Sequence, residues 1–201
     1  MTAPGPGTAR PGGRTARVSD AVRRATLAEL AEHGYQGLTV ENVAARSGVH
    51  KTTVYRRWRD AEGLVAAALE LAAAEPWPVP DTGTLAGDLR AIARLVAAGF
   101  TDPGQGPVTR AFVLAAGQSG GAARALHAFF ARRHEQSAAV VERAVARGEA
   151  PAGTDAAEVV RIAVAPLYYR VFVTGEPVDE AAADRAAASA ATAARTGTLT
   201  T

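Results

Sequence analysis

Large apolar side chains recur in this sequence three or four residues apart, and nowhere do they alternate with polar ones over the length of a strand. Val22, Thr26 and Leu30 recur at spacing four with Leu27 beside them; Leu85, Leu89, Ile92 and Val96 share another stripe. Alanine, the strongest helix former, makes up roughly a quarter of the chain. An all-α fold follows. Capping residues, glycines and prolines cut the pattern into about nine helices, over 20–33, 39–48, 50–58, 61–75, 84–100, 107–116, 122–147, 155–173 and 179–195. Ser19-Asp20, Thr39, Asp60, Thr84 and the Asp155/Glu158 capping-box spacing supply starts. Gly34, Gly48, the proline-rich 76–80, the break at 118–121 and Gly175-Glu176-Pro177 supply stops. Pro166 falls inside the eighth helix and predicts a kink there.

The chain has no cysteine, which excludes disulfides, thiol catalysis, Cys-based zinc sites and iron–sulfur clusters. No run reaches the roughly 18 apolar residues of a membrane span, because Glu70, Glu75, Asp184 and Arg185 interrupt the alanine-rich segments. Residues 1–18, rich in Pro, Gly and Arg, read as a flexible basic arm; no apolar segment follows as it would in a targeting peptide. A cytoplasmic protein with no membrane partner is expected. Large aliphatics are few, so a dimer interface is a natural place for the remaining apolar area. The formal net charge of +2 favours no partner, but its distribution does. Residues 1–60 carry ten basic against five acidic side chains, net +5, and residues 61–201 carry twelve against fifteen, net −3. The only lysine is Lys51.

Thr39 to Trp58 reads TVENVAARSGVHKTTVYRRW, a helix, a glycine turn and a second helix, the layout that lays one helix in a DNA major groove. Lys51, Arg56 and Arg57 supply cations, Thr52, Thr53 and Tyr55 supply hydroxyls, and Val49, Val54 and Trp58 are left to pack inward. Cations and hydroxyls near a helix N-terminus hold phosphates, and longer donors reach base edges.

Through AEHGYQGLTV, VAARSGV and KTTVYRRW, followed by an acidic residue and Leu64, residues 20–64 resemble the TetR family of bacterial transcriptional regulators. LYYRVFVTGEPVD (167–179) is similar to a C-terminal segment of one branch of that family. The resemblance implies a helix-turn-helix DNA-binding domain over 19–60. A ligand-binding and dimerisation domain would follow over 61–201, opened by a connecting helix at 61–75. It also implies a homodimer on a palindromic double-stranded DNA operator, released by a small-molecule effector that tilts the connecting helix. Thr39 corresponds to a phosphate-contacting hydroxyl; Lys51, Thr52, Thr53, Tyr55 and Arg56 stand where the family's recognition helix touches backbone or bases. His50 replaces the usual serine cap, so capping must come from another group or His50 must contact DNA. Ala61 replaces a common lysine, a loss that Arg57, Arg59 or the arm can offset.

The same plan puts most of the aromatics on helices around the effector site, and gives Phe100, Gln118, Phe130, His134 and Tyr168 as pocket residues. Aromatic stripes at helical spacing also describe an ordinary core. Arg94, Arg110 and Arg170 can pair an anionic ligand or a neighbouring carboxylate. The helices at 155–173 and 179–195 would form a four-helix interface with their symmetry mates. His127 and His134 share a helical face, but without cysteine or an HExxH pairing they imply no metal. No catalytic grouping and no cofactor motif stands out, so an enzyme is not expected. A ligand-responsive repressor is the favoured reading. The alternatives are a constitutive regulator or activator without an effector, and a helical dimer that has lost DNA binding.

Overall fold

The computed structural model describes residues 12–200, and among them nine α-helices and no strand beyond one bridge between Thr154 and Thr200. They are α1 (Gly12–Gly37), α2 (Val40–Ser47), α3 (Lys51–Trp58), α4 (Ala61–Ala74), α5 (Leu85–Thr101), α6 (Gly106–Ala116), α7 (Gly120–Ala146), α8 (Ala156–Tyr169) and α9 (Glu180–Arg195). A π turn over Arg170–Thr174 carries α8 on to Gly175.

Thr39, Asp60, Thr84, Asp155 and Asp179 each accept a bond from an amide three residues on, and so cap α2, α4, α5, α8 and α9. Three expectations change. Helix α1 begins at Gly12, inside the stretch read as an arm, and residues 1–11 lie outside the described residues. Ser19 is therefore not a cap: it sits within α1, and its hydroxyl donates to the Thr15 carbonyl at 3.1 Å. Helix α7 starts at Gly120 because Ser119 caps it through the Ala122 amide, which turns the glycine break into a first helical turn. Gly121 lies close under Glu62: a Cβ there would lie 1.9 Å from Glu62 Oε2, so the carboxylate would have to shift. Gly34, as expected, breaks α1, with φ of 65°.

Two hydrophobic cores fill the molecule. One joins Val22 and Leu30 of α1, Val43, Val54, Leu64 and Leu69 to Ala111, Phe112 and Ala115 of α6 and Ala122 of α7. The other joins Leu89 and Ile92 of α5, Val140 and Val141 of α7, and Val159, Val160 and Leu167 of α8 to the buried alanines of α9. Fully burying one Leu, Ile or Val contributes roughly 1.5–3 kcal/mol and a single CH2 about 0.8. Helix α9 buries only alanines, so its hold on α5 and α8 rests on close approach of backbones. The expected division at 60/61 is not a gap between cores: α4 and α6 share theirs with α1–α3, and the seam crosses α7.

Candidate functional site

Helices α2 and α3 form a tight two-helix unit. The Thr39 hydroxyl accepts from the Asn42 amide at 3.1 Å, Gly48 takes the left-handed conformation (φ 68°), and the Val49 amide donates to Ser47 Oγ at 3.2 Å. The cap of α3 comes from His50 itself: its Nδ1 accepts from the Thr52 amide at 3.4 Å and lies 2.8 Å from Thr52 Oγ1. Val54 is buried, Val49 and Trp58 are half-buried, and Lys51, Thr52, Tyr55 and Arg56 face outward with Thr53 half-covered beside them. Arg46 of α2 reaches the buried Glu29 carboxylate at 2.6 Å and also pairs with Glu32, which fastens α2 to α1.

The outward side chains differ in their freedom. Lys51 and Arg56 make no hydrogen bond or ion pair among the described residues. The Tyr55 hydroxyl donates to Glu41 Oε1 at 2.7 Å, a bond that raises the phenol's pKa and holds the carboxyl below its usual range. Arg57, expected on the DNA side, turns back toward α1. Its Nη2 donates to Ser19 Oγ at 3.0 Å, and its guanidinium lies 4.7 Å from the Trp58 ring centroid.

A stiff joint links α3 to α4. Arg59 is the one non-glycine with positive φ among the described residues (67°), and the Asp60 amide donates to the Trp58 carbonyl at 2.8 Å. A Cβ on Gly63 would lie 1.9 Å from that same carbonyl oxygen. Helix α4 is then held at both ends. Near its start the Ser119 hydroxyl donates to Glu62 Oε1 at 2.5 Å. At its end Arg133 donates to the carbonyls of Ala72 (2.6 Å) and Glu75 (3.2 Å), while Arg23 of α1 donates to Glu75 Oε1 at 2.6 Å.

A cavity of about 810 Å³ opens on the seam between the two cores. Ala68, Leu69 and Phe112 line it from one core, Ile92, Val160 and Val164 from the other, and Leu27, Ala28 and Ala31 of α1 complete the wall. Of the five residues given as pocket residues, Phe130, His134 and Tyr168 line it. Phe100 does not; it packs edge-on behind Tyr168, with ring centroids 4.9 Å apart. Gln118 lies elsewhere, accepting from Gln36 Nε2 at 2.8 Å. Burial keeps the Tyr168 phenol protonated by pushing its pKa far up. Burial, and then the charge of Arg161, push His134 below the ordinary imidazole value, so it favours the neutral form.

Sequence reasoning missed Arg23, Trp77 and Arg133 in this wall. Trp77 lies among three prolines, the one local signal that could have marked it; its indole donates to Ser137 Oγ at 2.9 Å. Nothing local marks Arg23 or Arg133. Two other arginines meet neighbouring carboxylates: Arg94 pairs with Asp184 (2.7 Å) and Glu180 (3.1 Å), and Arg170 with Glu176 (2.7 Å).

Two family models match the chain, bacterial regulatory proteins of the tetR family over residues 22–68 and the tetracyclin repressor-like C-terminal domain over 79–190. The HTH-type transcriptional regulator AqdR of Rhodococcus erythropolis is 30% identical over 150 residues, 73% of this chain and 70% of that one. The uncharacterized HTH-type regulator YdeS of Bacillus subtilis is 27% identical over 152 residues, 75% and 76% of the two chains. Among solved structures, the TetR family regulator SCO0332 superposes with a TM-score of 0.68 at 26% identity, over 88% of this chain and 97% of that one. The SmeT–triclosan complex has the same fold, with a TM-score of 0.62 at 20% identity over 86% and 90%. An all-helical chain with an exposed, cationic second helix of this kind is a helix-turn-helix DNA-binding transcriptional regulator. It belongs to the TetR family.

Proposed function

We propose that this chain is a ligand-responsive repressor that binds a palindromic double-stranded DNA operator as a homodimer. The observation that carries the reading is the position of the cavity, on the seam between the two cores, with walls from both α1 and α4. A molecule seated there touches the DNA-binding unit and the helix that leaves it. Repression is relieved only by a ligand that binds the DNA-incompetent arrangement more tightly, so the coupling is differential. The SmeT–triclosan complex is one case of this fold with a small molecule bound.

On the DNA side, Lys51, Thr52, Thr53, Tyr55 and Arg56 meet the operator from α3, and the Thr39 hydroxyl donates to a phosphate from the start of α2. His50 and Arg57 act mainly by capping and bracing α3. Two features support a dimer through α8 and α9. Ala165, Pro166, Tyr169 and Val173 make an outward apolar strip, with Tyr169 58% and Val173 66% exposed. The exposed face of α9 carries the small residues Ala181, Ala188 and Ser189, with Arg185 and Thr192 beside them. Two recognition helices about 34–36 Å apart fit successive major grooves.

A footprint over the DNA upstream of the gene, with a promoter fusion in a deletion strain, tests this. The expected result is a symmetric two-half-site protection and higher expression without the protein. Absence of specific protection at low salt, or lower expression in the deletion strain, contradicts it.

A further inference from the structure

The cavity wall is mostly apolar and aromatic, and among its charged side chains guanidinium groups outnumber carboxylates. Arg23 and Arg24 of α1 and Arg133 of α7 line it with Glu75 and Asp102, and Arg23 and Arg133 both bond to Glu75. Asp102 is committed, its Oδ1 accepting from the amides of Gly104 (2.9 Å) and Gln105 (2.6 Å). Glu75 is committed to Arg23. A surplus of positive charge remains.

Arg133 has its Nη atoms on the carbonyls of Ala72 and Glu75 and its guanidinium carbon 4.8 Å from the Trp77 ring centroid and 5.1 Å from that of Phe129, and its buried Nε, like that of Arg23, has no acceptor. Burial disfavours its charged form, a cost that a nearby anion relieves. Arg23 is differently placed. A guanidinium has five N–H groups, and Nη1 is the Arg23 nitrogen bonded to Glu75, while its buried Nε has no acceptor. Within that pair the guanidinium is the more buried member, 26% exposed against 58% for the carboxylate. Glu75 is thus the solvent-side, exchangeable partner.

We propose that the cavity takes an amphipathic carboxylate, a compact ring body with one carboxylate head, and that the head displaces Glu75 from Arg23. The proposal rests on the ligand-responsive reading of the cavity and names its ligand class. The ring body lies against Trp77, Phe130 and Tyr168, and the head takes Arg23 through a two-point bond that a single neutral hydroxyl cannot match. Arg23 belongs to α1 and Glu75 closes α4, so the exchange unfastens the DNA-binding unit from the end of the connecting helix. A neutral molecule of the same shape fills the cavity and leaves that fastening in place.

Calorimetric titration of the full chain with 2-naphthoate, 2-naphthalenemethanol and 2-naphthylmethylamine tests it, since the three share a ring and differ in the head. The carboxylate should bind about tenfold tighter than the alcohol, and the amine weakest. Arg23→Gln should bring the carboxylate within about twofold of the alcohol, while unchanged binding of the alcohol reports an intact cavity. Glu75→Gln, which removes the competitor, should tighten the carboxylate several-fold. Equal or tighter binding of the alcohol or amine, no binding of any of the three, or a carboxylate preference that survives Arg23→Gln overturns the proposal. Operator release by 2-naphthoate, read in a mobility shift, is a separate outcome. Carboxylate preference without release leaves the site standing and removes the ligand-responsive repressor.

Discussion

Arg56 and Arg57 are adjacent arginines at the end of α3, and their surroundings give them different work. Arg56 projects from the outward face, whereas Arg57 holds Ser19 of α1 and covers the Trp58 ring. Arg57→Ala should therefore lower unfolding stability by about 1 kcal/mol and leave the salt dependence of operator binding nearly unchanged, which urea titration and a mobility-shift salt series would separate. His134 carries the second prediction at this scale. Its folded-state pKa lies below the ordinary value, so as pH falls through about 6.5 the unfolded chain takes up a proton that the folded chain refuses. Stability contributed by keeping this imidazole neutral is lost over that window. Urea midpoints between about pH 7.5 and 5.5 should fall less in His134→Gln than in the parent protein; parallel curves would contradict the assignment. The sequence displayed which residue types share a helical face, and so made Lys51, Thr52, Tyr55 and Arg56 legible. It could not display partners: Ser19 is 38 residues from Arg57, and Glu41 is 14 from Tyr55.

Among the elements, α4 leaves α3 through a closed joint and is held near both ends, by Ser119 at the cap of α7 and by Arg133 within it. Gly63 sits at that joint. Replacing an exposed helical glycine by alanine ordinarily gains about 1 kcal/mol. Here the new methyl group would meet the Trp58 carbonyl, so Gly63→Ala should instead cost about 1–3 kcal/mol, and it should weaken operator binding by shifting α3. A raised melting temperature in that variant would contradict the geometry. Caps were readable in advance because the donor and acceptor lie within three residues, as at Thr39 and Asp60. The early start of α1, the π turn after Tyr169 and the helical role of Gly120 and Gly121 were not. Gly121 in particular packs against Glu62, 57 residues before the Ser119 that it binds.

For the molecule as a whole, the two-part charge distribution and the two-core packing do not share a boundary. The net +5 over residues 1–60 ends where α4 begins, yet the core of that basic unit runs on through α4 into α6. Helical periodicity cannot show this overlap, since the packing of α1 on α6 joins segments distant in sequence. Its consequence is that α1 and α4, which share a core with α2 and α3, also line the cavity. The central claim, that α3 reads DNA through unpaired cations on its exposed face, is tested most directly by fluorescence anisotropy. The titration uses a labelled duplex from the gene's own upstream region at stepped salt, with the parent protein and Lys51→Ala. Tighter binding than to a scrambled duplex is predicted. The slope of log affinity against log salt should be shallower in Lys51→Ala by about one for each recognition helix engaged. Equal affinity for both duplexes at low salt, or identical slopes for the two proteins, would contradict it.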